Sequence, residues 1–233
     1  MTRQLKLFIK SRFPFLVSLW RQVRYFSLRR KPPKQVFTEI YRGNKWGDKD
    51  SFSGPGSNLV QTEAVRRVLP LLIQELNCKS FLDVPCGDLF WMKLLEMDFE
   101  YIGGDIVDEL IRENQRQYGS NSRKFIHVDL LQDELPKVDL VLCRDCLVHF
   151  SYKHIFRALK NIKSSGSTYL LTTTFVGRES NEDIPTGAWR PINLQLPPFG
   201  FPMPMKLIDE ECPSDDYRDK HLGLWKTDDI PEF

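Results

Sequence analysis

Apolar side chains recur every three or four positions through Val60, Ala64, Val65, Val68, Leu69, Leu72, Ile73 and Leu76. That spacing predicts an amphipathic helix over 58–76, with a kink at Pro70, which lacks the N–H an internal helical residue donates. The pattern then changes period. Short apolar runs at 80–84, 101–104, 124–128, 139–143 and 168–174 read as buried strands, most of them closed by Pro, Gly or Asp. Helices fall between them: 108–118, stopped by Gly119, and one carried by Ile155, Leu159 and Ile162. Strands that alternate with helices need crossovers, and crossovers make neighbouring strands parallel. The expected fold is α/β: a doubly wound, mostly parallel, seven-stranded sheet with helices on both faces. Two more strands, near 206–209 and 220–225, would close one edge as an antiparallel hairpin.

Composition divides the 233 residues into zones. Residues 1–35 are basic and aromatic, with ten Lys or Arg from Arg3 to Lys34 and no acid among them, and they end at the breaker Pro32-Pro33. This extension is expected to dock on the domain or a protein partner, or to touch an anionic membrane surface as a peripheral contact. Residues 36–233 make the domain, and 178–205, rich in Pro and aromatics, is expected as a lid or acceptor loop. With 41% hydrophobic and 27% charged residues and a net charge of +2, the chain has an ordinary globular balance. No RNA-binding module accompanies the basic extension, and 209–219 is acid-rich, so nucleic acid is disfavoured as a partner. Five scattered cysteines form no disulfide framework and suggest a reducing, cytoplasmic setting. Cys143 and Cys146 form a C-x-x-C without a second pair, which reads as two small residues ending a buried strand. The apolar run 13–20 is too short to span a membrane.

In open α/β sheets, ligands bind beyond the carboxyl ends of the strands, where the strand order reverses. The residues due there are Asp83 to Asp88 after the first strand, Asp105 after the second, Asp129 after the third and Cys143-Arg144-Asp145-Cys146 after the fourth. Acids at three consecutive strand ends make a polar, acidic crevice. The first loop lacks the G-x-G-x-x-G that lets backbone close on a pyrophosphate; it has the single Gly87, followed by Asp88, which would repel phosphate. A nicotinamide dinucleotide is therefore disfavoured, and a cationic, phosphate-free nucleoside suits the crevice better.

The loop 81–92, Phe-Leu-Asp-Val-Pro-Cys-Gly-Asp-Leu-Phe-Trp-Met, resembles motif I of the class I S-adenosylmethionine-dependent methyltransferases, which have a Rossmann-like fold. Its Pro-Cys-Gly-Asp is similar to a bacterial subgroup associated with surface-polysaccharide loci, as are the flanks Trp46-Gly, 51–57 and 222–225. Pro85 and Leu89 stand where the usual loop has glycines. The resemblance implies S-adenosylmethionine as cofactor. Asp105, 22 residues after Asp83, would hold both ribose hydroxyls, with Ile106 beside it; its other reading is a helix N-cap. Asp129 and Leu130 would frame the adenine, although Asp129 also reads as a surface turn. Asp83 would hold the ammonium group, Pro85, Cys86 and Gly87 would shape the backbone around the methionine part, and Cys143 would line the transfer site. Segment 51–57 would fold over the cofactor or lead into the following helix.

Methyl transfer from a sulfonium needs in-line approach and, for a hydroxyl acceptor, a general base. Asp145 and His149 are the candidates for that base, and Arg144 is a possible clamp for an acidic acceptor; His149 also reads as a cap of the next helix. The implied activity is methyl transfer to a small-molecule or saccharide-type acceptor, at oxygen, with no metal. The competing readings are an RNA or protein methyltransferase, and a catalytically silent partner subunit.

Overall fold

The computed structural model describes residue 23 and residues 25–96 and 98–233. Five parallel strands form one side of a seven-stranded sheet: β1 (Ser80–Asp83), β2 (Glu100–Asp105), β3 (Arg123–His127), β4 (Leu140–Cys143) and β5 (Tyr169–Phe175). β6 (Lys206–Asp209) and β7 (Lys220–Lys226) complete it in the order β3-β2-β1-β4-β5-β7-β6. β7 runs antiparallel to both β5 and β6, so the expected edge hairpin is present, with β7 as its inner strand. The order reverses between β1 and β4, where an open α/β sheet leaves a crevice.

Successive side chains of a strand face opposite sides, and the sequence fills both sides with apolar groups. Phe81, Leu140, Leu142, Leu171, Leu222 and Leu224 enter one core; Leu82, Val141, Leu170 and Trp225 enter the other. The first core is covered by α2 (Glu63–Glu75), through Val65, Leu69, Leu72 and Ile73, and by Ile111 of α3 (Asp108–Tyr118). The second is covered by α4 (Tyr152–Ser164), through Ile155, Ala158, Leu159 and Ile162. Ser151 caps α4, its side chain accepting from the His154 N–H. That assignment removes the capping reading of His149.

Two element expectations need correction. α2 starts at Glu63 rather than 58, because Asn58 holds a turn first: its Oδ1 accepts the Gln61 N–H at 3.0 Å and its carbonyl accepts the Thr62 hydroxyl at 2.8 Å. Pro70, where a kink is expected, lies inside α2. Pro32-Pro33 does break the helical path: helical residues end at Arg29 and Pro32 is non-helical. Pro33 opens a helix, α1 (Pro33–Arg42), at the position where a missing N–H costs nothing. α1 buries Val36 and Ile40 and sets Phe37 5.8 Å from Phe150, so it crosses the line drawn at residue 35 and packs on the domain. Residues 1–22, and with them most of the docking or membrane expectation, lie outside the described residues. Among the described residues no helix is long and apolar enough to cross a membrane.

Segment 178–205 is anchored to the rest of the domain. The Arg190 guanidinium donates to the carbonyls of Glu182, Leu147 and Phe150 at 2.8–3.1 Å. Ile192, Leu194, Phe199 and Phe201 join the second core. Only Gly187, Ala188 and Trp189 of this stretch reach the crevice described next.

Candidate functional site

A cavity of about 720 Å³ opens over the carboxyl ends of the parallel strands. The sheet order divides its floor. Over β1, β2 and β3 lie Asp83, Pro85, Cys86 and Gly87, then Asp105 and Ile106, then Asp129 and Leu130; over β4, β5 and β7 lie Arg144, Asp145, His149, Phe175 and Lys220. Every site residue named from the sequence lines this cavity except Cys143. Cys143 is fully buried in the second core as the last residue of β4, and Cys146, three residues on, takes the wall position.

On the acidic side, each carboxylate has a structural tie as well as an open face. Asp105 accepts the Val107 N–H at 2.9 Å through Oδ1 and the Gly87 N–H at 3.1 Å through Oδ2. It thus fastens the β1 loop to β2 and does not cap α3, whose N-cap is Val107. Burial raises its pKa to about 6, against the pull of those N–H groups. Asp83 accepts the Tyr101 hydroxyl at 2.8 Å; burial, opposed by that bond, lifts it to about 7. Asp129 accepts the Leu131 N–H at 3.0 Å, a local turn at the cavity wall.

Gly87 sits at φ +54°, where a side chain is strained, and a Cβ there would stand 2.0 Å from Ser53 Oγ. The neighbour pressing on it is the 51–57 segment. Asp88 draws that segment in: its carboxylate accepts from Ser51 Oγ at 2.9 Å, Phe52 N at 2.8 Å and Ser53 Oγ at 3.2 Å. Ser53, Gly54, Pro55, Gly56 and Ser57 consequently form part of the cavity wall. Leu89 takes the left-handed backbone (φ 57°) that a glycine would adopt freely, and its buried side chain in the first core offsets the strain.

The β4 side is an ion-pair network. Arg144 donates to Glu210 Oε2 through Nε at 3.0 Å and Nη2 at 2.6 Å, both side chains being almost fully buried. Its charge is thereby paired inside the protein, although the residue also lines the cavity. Lys220 Nζ lies 2.7 Å from Asp145 Oδ2 and 3.3 Å from Glu210 Oε2, and Arg144 Nη1 lies 3.4 Å from Asp145. Burial works against the Asp145 carboxylate, but Lys220 and Arg144 outweigh it and hold the pKa at about 2. A carboxylate that weakly basic is a poor proton acceptor, so Asp145 is the weaker of the two base candidates. Asp145 is also left-handed (φ 52°), and Thr173 Oγ1 accepts its N–H at 2.8 Å.

His149 Nδ1 lies 2.9 Å from the Ala188 carbonyl, so that nitrogen carries the proton and Nε2 is the basic one. Burial, opposed by that hydrogen bond, depresses its pKa and keeps the ring neutral. Trp46 lies against the His149 ring at 4.9 Å. Phe175, Trp189 and Tyr217 make an edge-to-face trio with centroids 5.0–6.2 Å apart, all three on the cavity wall. Sequence reasoning missed Lys220, Glu210, Phe175 and Tyr217 as parts of the site. Only the pairing of β7 with β5, Phe175 opposite Lys220, brings two of them to the β4 end.

The three acids, the backbone-hugging glycine and two cations already neutralised from within suit a cationic, phosphate-free ligand. No protein-family model matches the chain, and no curated protein does. Among solved structures, it resembles human N-acetylserotonin methyltransferase in complex with SAM: 15% identity, 94% of this chain, 68% of that one, TM-score 0.53. Magnesium protoporphyrin IX methyltransferase from Synechocystis PCC 6803 with bound SAH matches at 21% identity over 61% of this chain and 72% of that one, TM-score 0.46. The PH0226 protein of Pyrococcus horikoshii OT3 matches at 24% identity and a TM-score of 0.42 over 52% of this chain, which spans 61% of its length. At such identities the likeness concerns the fold alone, and the match to the human enzyme carries it: the sheet is Rossmann-like and shares that enzyme's fold.

Proposed function

We propose that the chain is an S-adenosylmethionine-dependent methyltransferase acting at oxygen on a small-molecule or saccharide-type acceptor. The observation that carries the reading is the set of acids at consecutive strand ends, Asp83, Asp105 and Asp129, around a glycine loop with no unpaired cation beside it among the described residues. Each acid has a fitting partner in such a cofactor. Asp105 would accept the ribose hydroxyls with the lone pairs that Gly87 and Val107 leave free, Asp129 the adenine amino group, and Asp83 the ammonium. Pro85, Cys86, Ile106 and Leu130 supply the apolar contact between them. When bound, S-adenosylmethionine supplies a methyl group on a positively charged sulfur.

The chain's own part in transfer is to position and to take a proton. An acceptor hydroxyl held beside His149 would receive that methyl group, and His149 Nε2, the basic nitrogen, would take the hydroxyl proton. His149 is then an imidazolium beside the ionised Asp145, one of the groups that favour its charged form, and it returns the proton to water. Asp145 stays ionised throughout and orients the acceptor by hydrogen bonding.

S-adenosylhomocysteine is expected to raise the melting temperature of the full-length protein in a concentration-dependent way, while NAD does not. Stabilisation by NAD and none by S-adenosylhomocysteine would sink the reading in favour of an oxidoreductase. Stabilisation by neither would favour the silent partner subunit.

A further inference from the structure

The two halves of the cavity differ in chemistry, and the difference bears on the acceptor. Of the charged side chains on its wall, the described residues include two cations, Arg144 and Lys220. Both are held by Glu210, whose side chain is 1% exposed, and by Asp145. Turning either cation toward an anionic ligand would leave a buried carboxylate without its partner, a strongly unfavourable exchange. The other charged wall residues, Asp83, Asp105 and Asp129, are acids. Among the described residues, a phosphate or carboxylate entering this cavity therefore meets acids and no available cation.

The wall over β4, β5 and β7 offers ring faces and edges instead. Trp189 is 40% exposed although it packs in the trio with Phe175 and Tyr217, and Trp46 lies on the ring of His149, the proton acceptor. Aromatic surface left open beside a few polar groups is the usual lining of a site for a ring-bearing ligand.

Resting on the methyltransferase reading above, we infer that the acceptor is uncharged and carries its reactive hydroxyl on a ring, which packs against Trp46 and the Phe175–Trp189–Tyr217 wall, and that phosphorylated or carboxylated molecules are turned away. A phenol and a neutral sugar both answer to this chemistry.

The test titrates the full-length protein, loaded with S-adenosylhomocysteine, against two matched pairs in a calorimeter. One pair is 2-naphthol and 2-naphthoate; the other is methyl glucoside and glucose 1-phosphate. The neutral member of at least one pair should bind, its anionic twin at least about tenfold more weakly, and Trp189→Ala should weaken the neutral ligand by a similar factor. The pair that responds tells a phenol from a sugar. Equal or tighter binding of an anionic twin, no binding of either neutral compound, or an unaffected Trp189→Ala variant would overturn the inference. The S-adenosylhomocysteine isotherm is recorded first; its failure would count against the cofactor reading and is distinguishable from all three.

Discussion

Asp83 and Asp105 carry pKa values raised to about 7 and about 6 by burial, from an ordinary value of 3.8. Two consequences of opposite sign follow. Between the ordinary and the raised value, the folded protein binds protons that the unfolded chain has released. Their contribution to stability is therefore full below about pH 4 and is lost as pH rises through 6 and 7. A ligand carrying an ammonium group needs the charged carboxylates, so its affinity moves the other way. S-adenosylhomocysteine should bind roughly tenfold more weakly at pH 5.5 than at pH 8, and Asp83→Asn should flatten most of that slope. Calorimetric isotherms at both pH values check this; an affinity independent of pH would show that Asp83 does not meet the ligand. The acids at the strand ends were legible in the sequence because Asp83 and Asp105 close their apolar runs and Asp129 stands two residues past β3. The commitments of Arg144 and Asp145 were not, since their partners Glu210 and Lys220 lie 66 and 75 residues away.

Among the elements, the 51–57 segment is tied to the β1 loop through one carboxylate. Asp88, read from the sequence as a phosphate-repelling charge, holds Ser51, Phe52 and Ser53 over the β1 loop. Asp88→Ala should cost about 1–3 kcal/mol, since it leaves a backbone N–H and two hydroxyls without their acceptor. It should also open 51–57 to limited proteolysis and weaken S-adenosylhomocysteine binding; resistance equal to wild type would show that other contacts hold the segment. The strands and the helices 108–118 and 152–164 could be read locally because period and stop signals agree over each of them. α1 could not, because a Pro pair reads equally as a breaker and as the first turn of a helix. Its burial of Val36 and Ile40 is a tertiary fact.

Across the whole molecule, the sheet does what no local pattern announces. Inserting β7 antiparallel between β5 and β6 carries Lys220 to Asp145, and β6 delivers the adjoining Glu210 to Arg144. The four charges form one buried cluster across the β4 end, joining strands distant in sequence. Glu210→Gln removes the acid shared by both cations and should destabilise the fold by about 3–5 kcal/mol in urea denaturation. A loss below about 1 kcal/mol would show that the cluster is well solvated and that its cations remain available to ligands. The parallel sheet and its edge hairpin were legible from alternating strand and helix patterns. The aromatic wall was not, because Phe175, Trp189 and Tyr217 meet only after β5, the 178–205 segment and the β6–β7 connection are assembled.

The central claim is that the acidic half of the cavity holds S-adenosylmethionine through Asp105. Calorimetric titration of the full-length protein with S-adenosylmethionine, beside an Asp105→Ala variant shown to be folded by circular dichroism, tests it most directly. Saturable one-to-one binding in the wild type, weakened at least about a hundredfold in the variant, is the result the account predicts; the variant loses charge-assisted hydrogen bonds at a buried position. Equal binding by both proteins would put the cofactor elsewhere, and a folded wild type that binds none would contradict the account.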